Sequence, residues 1–183
     1  MSTRLYSIGH SRHSIERFLE LLGLHRIEAL VDVRSMPYSR FSPHFGIHAL
    51  RKAVTDAGRA YVFLGKELGG RPEGTAYYDD EGHVLYRRRA EAPEFCAGLD
   101  QLAAEAGRRR AAVMCSEENP EGCHRRLLVA RALVPRGIVV DHIRGDGRLQ
   151  AESELPPMGG AQGELFGGAG AWRSVMPVRP RRQ

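Results

Sequence analysis

Short apolar runs alternate along this chain with segments of helical period, and that alternation leaves few folds open. The runs "RLYSIGH" (4–10), "EALVDVRS" (28–35), "RAYVFLGKELGG" (59–70), "RAAVMCSE" (110–117) and "IVVDHIRG" (138–145) read as strands, the third running on into a glycine turn. Between consecutive runs lie "SIERFLELLGLHR" (14–26), "IHALRKAVTDAG" (47–58), "APEFCAGLDQLAAEAG" (92–107) and "CHRRLLVARALVPRG" (123–137), each with apolar residues at helical spacing. Ser14 is placed to cap the first helix, Gly58 to stop the second, and Pro93 falls in the first turn of the third. Connections of this length join parallel strands. The expectation is an α/β fold, a Rossmann-like three-layer sandwich with a mostly parallel central sheet covered on both faces. The stretch from 71 to 89 has no clear period and reads as loop with short irregular elements.

Composition changes at Asp146, beyond which Gly, Pro, Ala and Glu dominate and apolar residues stand alone. The chain therefore divides into an α/β domain, 1–145, and a flexible tail, 146–183. A 42% hydrophobic share in 183 residues supports a real core without staples. Three cysteines, an odd number in no repeated spacing, fit a reducing compartment rather than a disulfide framework. With no signal pattern at "MSTRLYSIGH" and no apolar run of spanning length, the expectation is a cytoplasmic protein with no membrane partner. The formal charge of +5 favours anionic partners, nucleotide or nucleic acid first, although runs such as 87–89 and 108–110 also serve as solvated surface.

In an open parallel sheet, ligands bind beyond the carboxyl ends of the strands. Nearly every ionisable residue inside or just after a strand falls at those ends: His10, with Ser11, after the first strand, Asp32 and Arg34, with Ser35, after the second, Cys115 and Glu117 after the fourth, Asp141 and His142 in the last. The stretch "MCSEENPEGCHRR" (114–126) is the densest. Glu117 and Asp32 are candidate acid–base carboxylates, and Cys115, beside a helix N-terminus, a candidate nucleophile. His10 is a further candidate at the same edge. Ser11, Arg34, Ser35, His124 and Arg125 are candidate phosphate ligands, helped by the free amides of a helix beginning near His124. Each has a structural alternative: a buried hydrophobe for Cys115, a core role for Cys123, an ion pair for Asp32 and Arg34, a structural hydrogen bond for His10. Cys115 and Cys123 are not spaced like a structural zinc pair and no second pair exists, so neither metal nor other cofactor is expected.

These residues carry a resemblance. "SIGHS" (7–11), "LVDVRSMPYSRF" (30–41), "LGKELGGRP" (64–72), "GLDQLA" (98–103), "MCSEENPEGCHRRLLVA" (114–130) and "VVDHI" (139–143) together resemble the family catalogued as domain of unknown function 488. That family looks like a branch of the rhodanese and tyrosine-phosphatase superfamily. The resemblance implies a strand-end cysteine, matched by Cys115, and an oxyanion-holding arginine, matched by Arg125. The intervening "SEENPEGCH" is longer than a phosphatase loop and carries three glutamates, a poor cradle for a phosphate dianion. Sugar-phosphate or nucleotide chemistry is the better implication.

Three functions therefore compete. The first is an enzyme on a nucleotide or nucleic-acid end at a sugar or phosphate centre, in DNA repair or processing. The second is thiol, sulfur-transfer or redox chemistry on Cys115, and the third a non-catalytic nucleotide sensor. In the tail, "QGELF" resembles the pentapeptide by which bacterial repair and replication proteins attach to the DNA sliding clamp, with Gln162, Leu165 and Phe166 as docking residues and Gly163 where stronger versions have Leu. The alternative is that Leu165 and Phe166 fold back onto the domain.

Overall fold

The computed structural model describes residues 3–38, 40–158 and 172–178, and the "QGELF" segment lies outside them. Six strands form one sheet in the order β3-β2-β4-β1-β5-β6. They are β1 (Arg4–Gly9), β2 (Ala29–Asp32), β3 (Ala60–Phe63), β4 (Ala111–Cys115), β5 (Val139–Ile143) and β6 (Leu149–Ala151). The first five pair in parallel and β6 runs antiparallel to β5. The fold is thus the expected α/β class with a mostly parallel sheet.

Alternation along the strands divides the core in two. Leu5, Ala29, Val31, Ala111, Val113 and Val140 belong to one buried cluster, and Tyr6, Ile8, Leu30, Ala112, Met114 and Ile143 to the other. The second is covered by α1 (Ile15–Leu24) and α2 (Ile47–Asp56), which contribute Phe18, Leu21, Leu22, Leu50 and Val54. The first is covered by α3 (Gly65–Leu68), α4 (Tyr86–Ala90) and α5 (Pro93–Arg108), which contribute Leu68, Tyr86, Phe95, Leu99 and Leu102. Three layers result, and all five parallel strands point their carboxyl ends at one edge.

Local signals explain several boundaries. Ser14 Oγ accepts the Arg17 amide at 3.2 Å as the α1 cap, and Gly58 leaves α2 at φ 73°. "GKEL", expected as part of a glycine turn, forms the single turn α3. The segment after Cys123 differs more. Arg125–Ala130 is π-helical and passes into α6 (Arg131–Leu133) and a 3-10 turn, Val134–Arg136. Its amides at Arg126 and Leu127 both donate to the Cys123 carbonyl at 3.0 Å. Such widened turns often mark functional sites.

Past residue 145 the described chain goes on contacting the domain. Leu149–Ala151 adds β6 to the sheet, and Glu152 pairs with Arg126 at 2.8 Å. Residues 172–178 return to the body: Trp172 Nε1 donates to the Leu127 carbonyl, Leu85 and Arg173 form a bridge, and the Ser174 amide donates to Val84 at 2.9 Å. Among the described residues, no helix is long and apolar enough to cross a membrane.

Candidate active site

A cleft of about 590 Å³ opens at the carboxyl edge of β2 and β4. Its wall includes Arg34, Ser35, Arg71, Cys115, Glu117 and His124, with Met36 and Tyr38 from the loop after β2. Ser174, Val175, Met176 and Val178 complete the lining from far along the sequence. Five expected residues, Arg34, Ser35, Cys115, Glu117 and His124, thus meet in one place. Asp32, His10, Ser11 and Arg125 are not among the residues that line it.

Asp32 is fully buried at the end of β2 and saturated with donors. Its carboxylate accepts Arg34 Nε at 2.9 Å, Arg34 Nη2 at 2.6 Å and the Tyr61 hydroxyl at 2.7 Å. Burial works against the Arg34 charge, but this carboxylate more than offsets it and holds the guanidinium's pKa above its ordinary value. Asp32 therefore orients Arg34 from beneath the cleft. His10 lies behind the same arginine. Its ring stacks on Phe45 with centroids 4.2 Å apart, Nδ1–H donates to the Ser11 carbonyl at 2.9 Å, and Nε2 accepts Arg34 Nη1 at 3.3 Å. Burial, then the Arg34 charge, lowers its pKa to about 4, so the ring is neutral at pH 7. Ser11 occupies a turn at φ 47°, its amide bonded to the Ser116 carbonyl at 2.8 Å.

Arg125, expected at the phosphate, is wholly buried and grips the loop instead. Nη1 donates to the Glu117 carbonyl, Nη2 to the Glu118 carbonyl at 2.6 Å and Nε to Ser7 Oγ at 3.2 Å. The physical reason lies in β1. A Cβ at Gly9 would stand 1.8 Å from the Glu117 carbonyl oxygen, so glycine lets the 116–124 loop fold tightly over β1, leaving its carbonyls for Arg125 to satisfy. Three amides around the helix start are also engaged, since Cys123 donates to the Pro120 carbonyl and Arg126 and Leu127 donate to the Cys123 carbonyl. A chain of hydrogen bonds runs on inward: Ser7 Oγ and His142 Nδ1 are 2.6 Å apart, and His142 Nε2 donates to Glu152 at 2.8 Å. It has the order of a Ser–His–acid relay, but Ser7 and His142 are fully buried and the network ties β1 to β5 and Glu152.

β4 ends in Cys115, and the loop so fixed brings Cys123 and His124 beside it, with Cys115 and His124 lining the cleft. His124 Nε2–H donates to the Val33 carbonyl at 3.0 Å, which leaves Nδ1 3.5 Å from Cys115 Sγ and 3.9 Å from Cys123 Sγ. Gly70 packs on the ring, where a Cβ would stand 2.6 Å from His124 Cγ. The neighbouring Cys123 thiol, with Arg125 and the Ser116 amide, lowers the Cys115 pKa against the opposing effect of burial. Burial, then Cys115, pushes the Cys123 thiol up. For His124, burial disfavours the charge, but the contact with Cys123 and the Val33 bond outweigh it and raise the pKa.

Sequence reasoning missed the rim and the far wall. Met36 and Tyr38 are exposed, Tyr38 by 75%, and Val175 and Met176 are exposed beside the same cleft. "LGGRP" was a usable signal, since its glycines allow close approach to Ser35 and His124 and its arginine, Arg71, reaches the cleft.

No curated protein and no solved structure matches the chain. The family model for the domain of unknown function DUF488 matches residues 14–132, from the first helix through the π-helical segment. With that match spanning most of the α/β body and both halves of the cleft floor, the chain belongs to the DUF488 family.

Proposed function

We propose that the chain is an enzyme acting on a nucleotide or nucleic-acid end, at its phosphate or sugar, with Glu117 as the acid–base group. One observation carries this reading. Glu117 is the only carboxylate among the described residues lining the cleft, and it shares that cleft with Arg34, Arg71 and His124. A single exposed carboxylate among cationic donors tolerates an anionic substrate and can still move a proton. The rim supports the same reading. Tyr38, Met36 and Met176 offer flat or polarisable surface of the kind on which bases stack, and the volume is within the range of nucleotide-sized sites.

The test is turnover of 5′- and 3′-phosphorylated oligonucleotides and nucleotides, read by mass spectrometry, in wild type and Glu117→Gln. The expected result is a product formed by wild type and lost in the variant, with binding retained in both. Binding without product across these substrates would favour a nucleotide sensor. The absence of both binding and product would remove the nucleotide reading.

A second reading, thiol chemistry at Cys115, is favoured by the 3.5 Å approach of His124 Nδ1 to its sulfur and by the lowered thiol pKa. It requires Cys115 to be alkylated by iodoacetamide at neutral pH well ahead of Cys96. Slower labelling than Cys96 would exclude it.

A further inference from the structure

The geometry points to a metal site at the cleft floor: one zinc-class ion held by Cys115 Sγ, Cys123 Sγ and His124 Nδ1, with its fourth position open to the cleft. The three donor atoms lie within 4.8 Å of one another. A tetrahedral ion with metal–sulfur and metal–nitrogen bonds of about 2.3 and 2.05 Å sets sulfur and nitrogen about 3.6 Å apart. The two distances in the protein, 3.5 and 3.9 Å, bracket that spacing.

The surroundings are those of a ligating histidine. The Nε2–H of His124 donates to a backbone carbonyl, fixing the tautomer that leaves the Nδ1 lone pair free beside both sulfurs. Gly70 packs against the ring from the other side and Arg125 clamps the loop that carries Cys123, so the donors are preorganised by groups that are not ligands. Two thiolates and an imidazole are a soft donor set that favours zinc over magnesium or calcium. Cys115 and His124 line the cleft, so the remaining position faces the space a substrate would fill. The sequence spacing hides this site because the two cysteines are not a short-range pair; the fold of residues 116–122 brings them together.

A metal here engages Cys115 and so opposes the thiol reading, while it does not depend on the nucleotide reading. Binding replaces two thiol protons with one divalent ion, and those protons pass to buffer.

The test uses the full chain, purified under reductant without chelator, with metal content read by mass spectrometry and no nucleotide present. About one zinc per chain is expected. After chelator stripping, Co²⁺ should produce the charge-transfer and visible bands of a tetrahedral thiolate site, saturating at one equivalent. Those bands should vanish in Cys123→Ser and His124→Gln and persist in Cys96→Ser. Stripped, folded wild type that gives no thiolate–Co²⁺ band would overturn the site, and so would a band that survives in a folded Cys123→Ser. Should the variants fail to fold, the wild-type titration still decides the matter.

Discussion

Arg34 Nη2 lies 2.6 Å from Asp32 Oδ2, and the two side chains are buried together beneath the cleft. The pair turns a strand-end carboxylate into support for a cation that lines the cleft wall. Removing one member leaves an uncompensated buried charge. Asp32→Asn should therefore cost about 3–5 kcal/mol of unfolding free energy, measured by urea denaturation. Glu117→Gln, at an exposed position, should change stability by less than about 0.5 kcal/mol while abolishing activity. Equal stability of the two variants would remove the distinction drawn between a supporting and a reacting carboxylate.

Arg125 is wholly buried on three acceptors, so its loss should be felt in the loop it holds. Arg125→Met should cost about 3 kcal/mol or more, since three charge-assisted hydrogen bonds are lost, and should raise amide exchange across residues 116–124. Exchange unchanged in that loop would show that Gly9 packing alone suffices to fix it.

His10 makes stability depend on pH in a defined direction. Its folded pKa, about 4, is below the unfolded value of 6.5, so its contribution is complete above pH 6.5 and is lost as pH falls toward 4. The unfolded chain takes up the proton first, and the loss should approach about 3 kcal/mol. Denaturation midpoints of wild type and His10→Gln between pH 7 and 4 should converge as the pH drops. Parallel curves would contradict the assignment.

How far the sequence reveals this molecule depends on which interactions are local. Helix caps, strand runs and their alternation are written in neighbouring residues, and Ser14, Gly58 and Pro93 read correctly. The cleft was legible as an edge because all parallel strands end there. The Asp32–Arg34 ion pair stood among the structural alternatives, the two being close in sequence, but the Tyr61 bond that β3 adds did not, nor did the role of Arg125, which is decided by the Glu117 and Glu118 carbonyls over Gly9. β6 is three residues long and half exposed, too short to show a period. The far wall at 174–178 lies in a stretch whose composition resembles tail.

That wall is anchored by Trp172, the single tryptophan of the chain, whose indole donates to Leu127 and lies under the Arg131 guanidinium at 4.7 Å. Trp172→Ala should cost about 2 kcal/mol, below the range for a fully buried aromatic, and should release residues 174–178 in hydrogen exchange. Ligand affinity should fall with it. Unaltered protection at Ser174 would mean that its own bonds to Val84 hold the wall in place.

The proposal that the cleft takes a phosphorylated nucleic-acid or nucleotide end stands or falls on binding to Glu117→Gln protein. Fluorescence anisotropy would compare a short single-stranded oligonucleotide bearing a terminal phosphate with the same strand lacking it. The phosphate should tighten binding by about tenfold or more, equivalent to about 1.4 kcal/mol, and Arg71→Ala should remove the difference. Equal binding of the two strands, or a preference that survives Arg71→Ala, would contradict it.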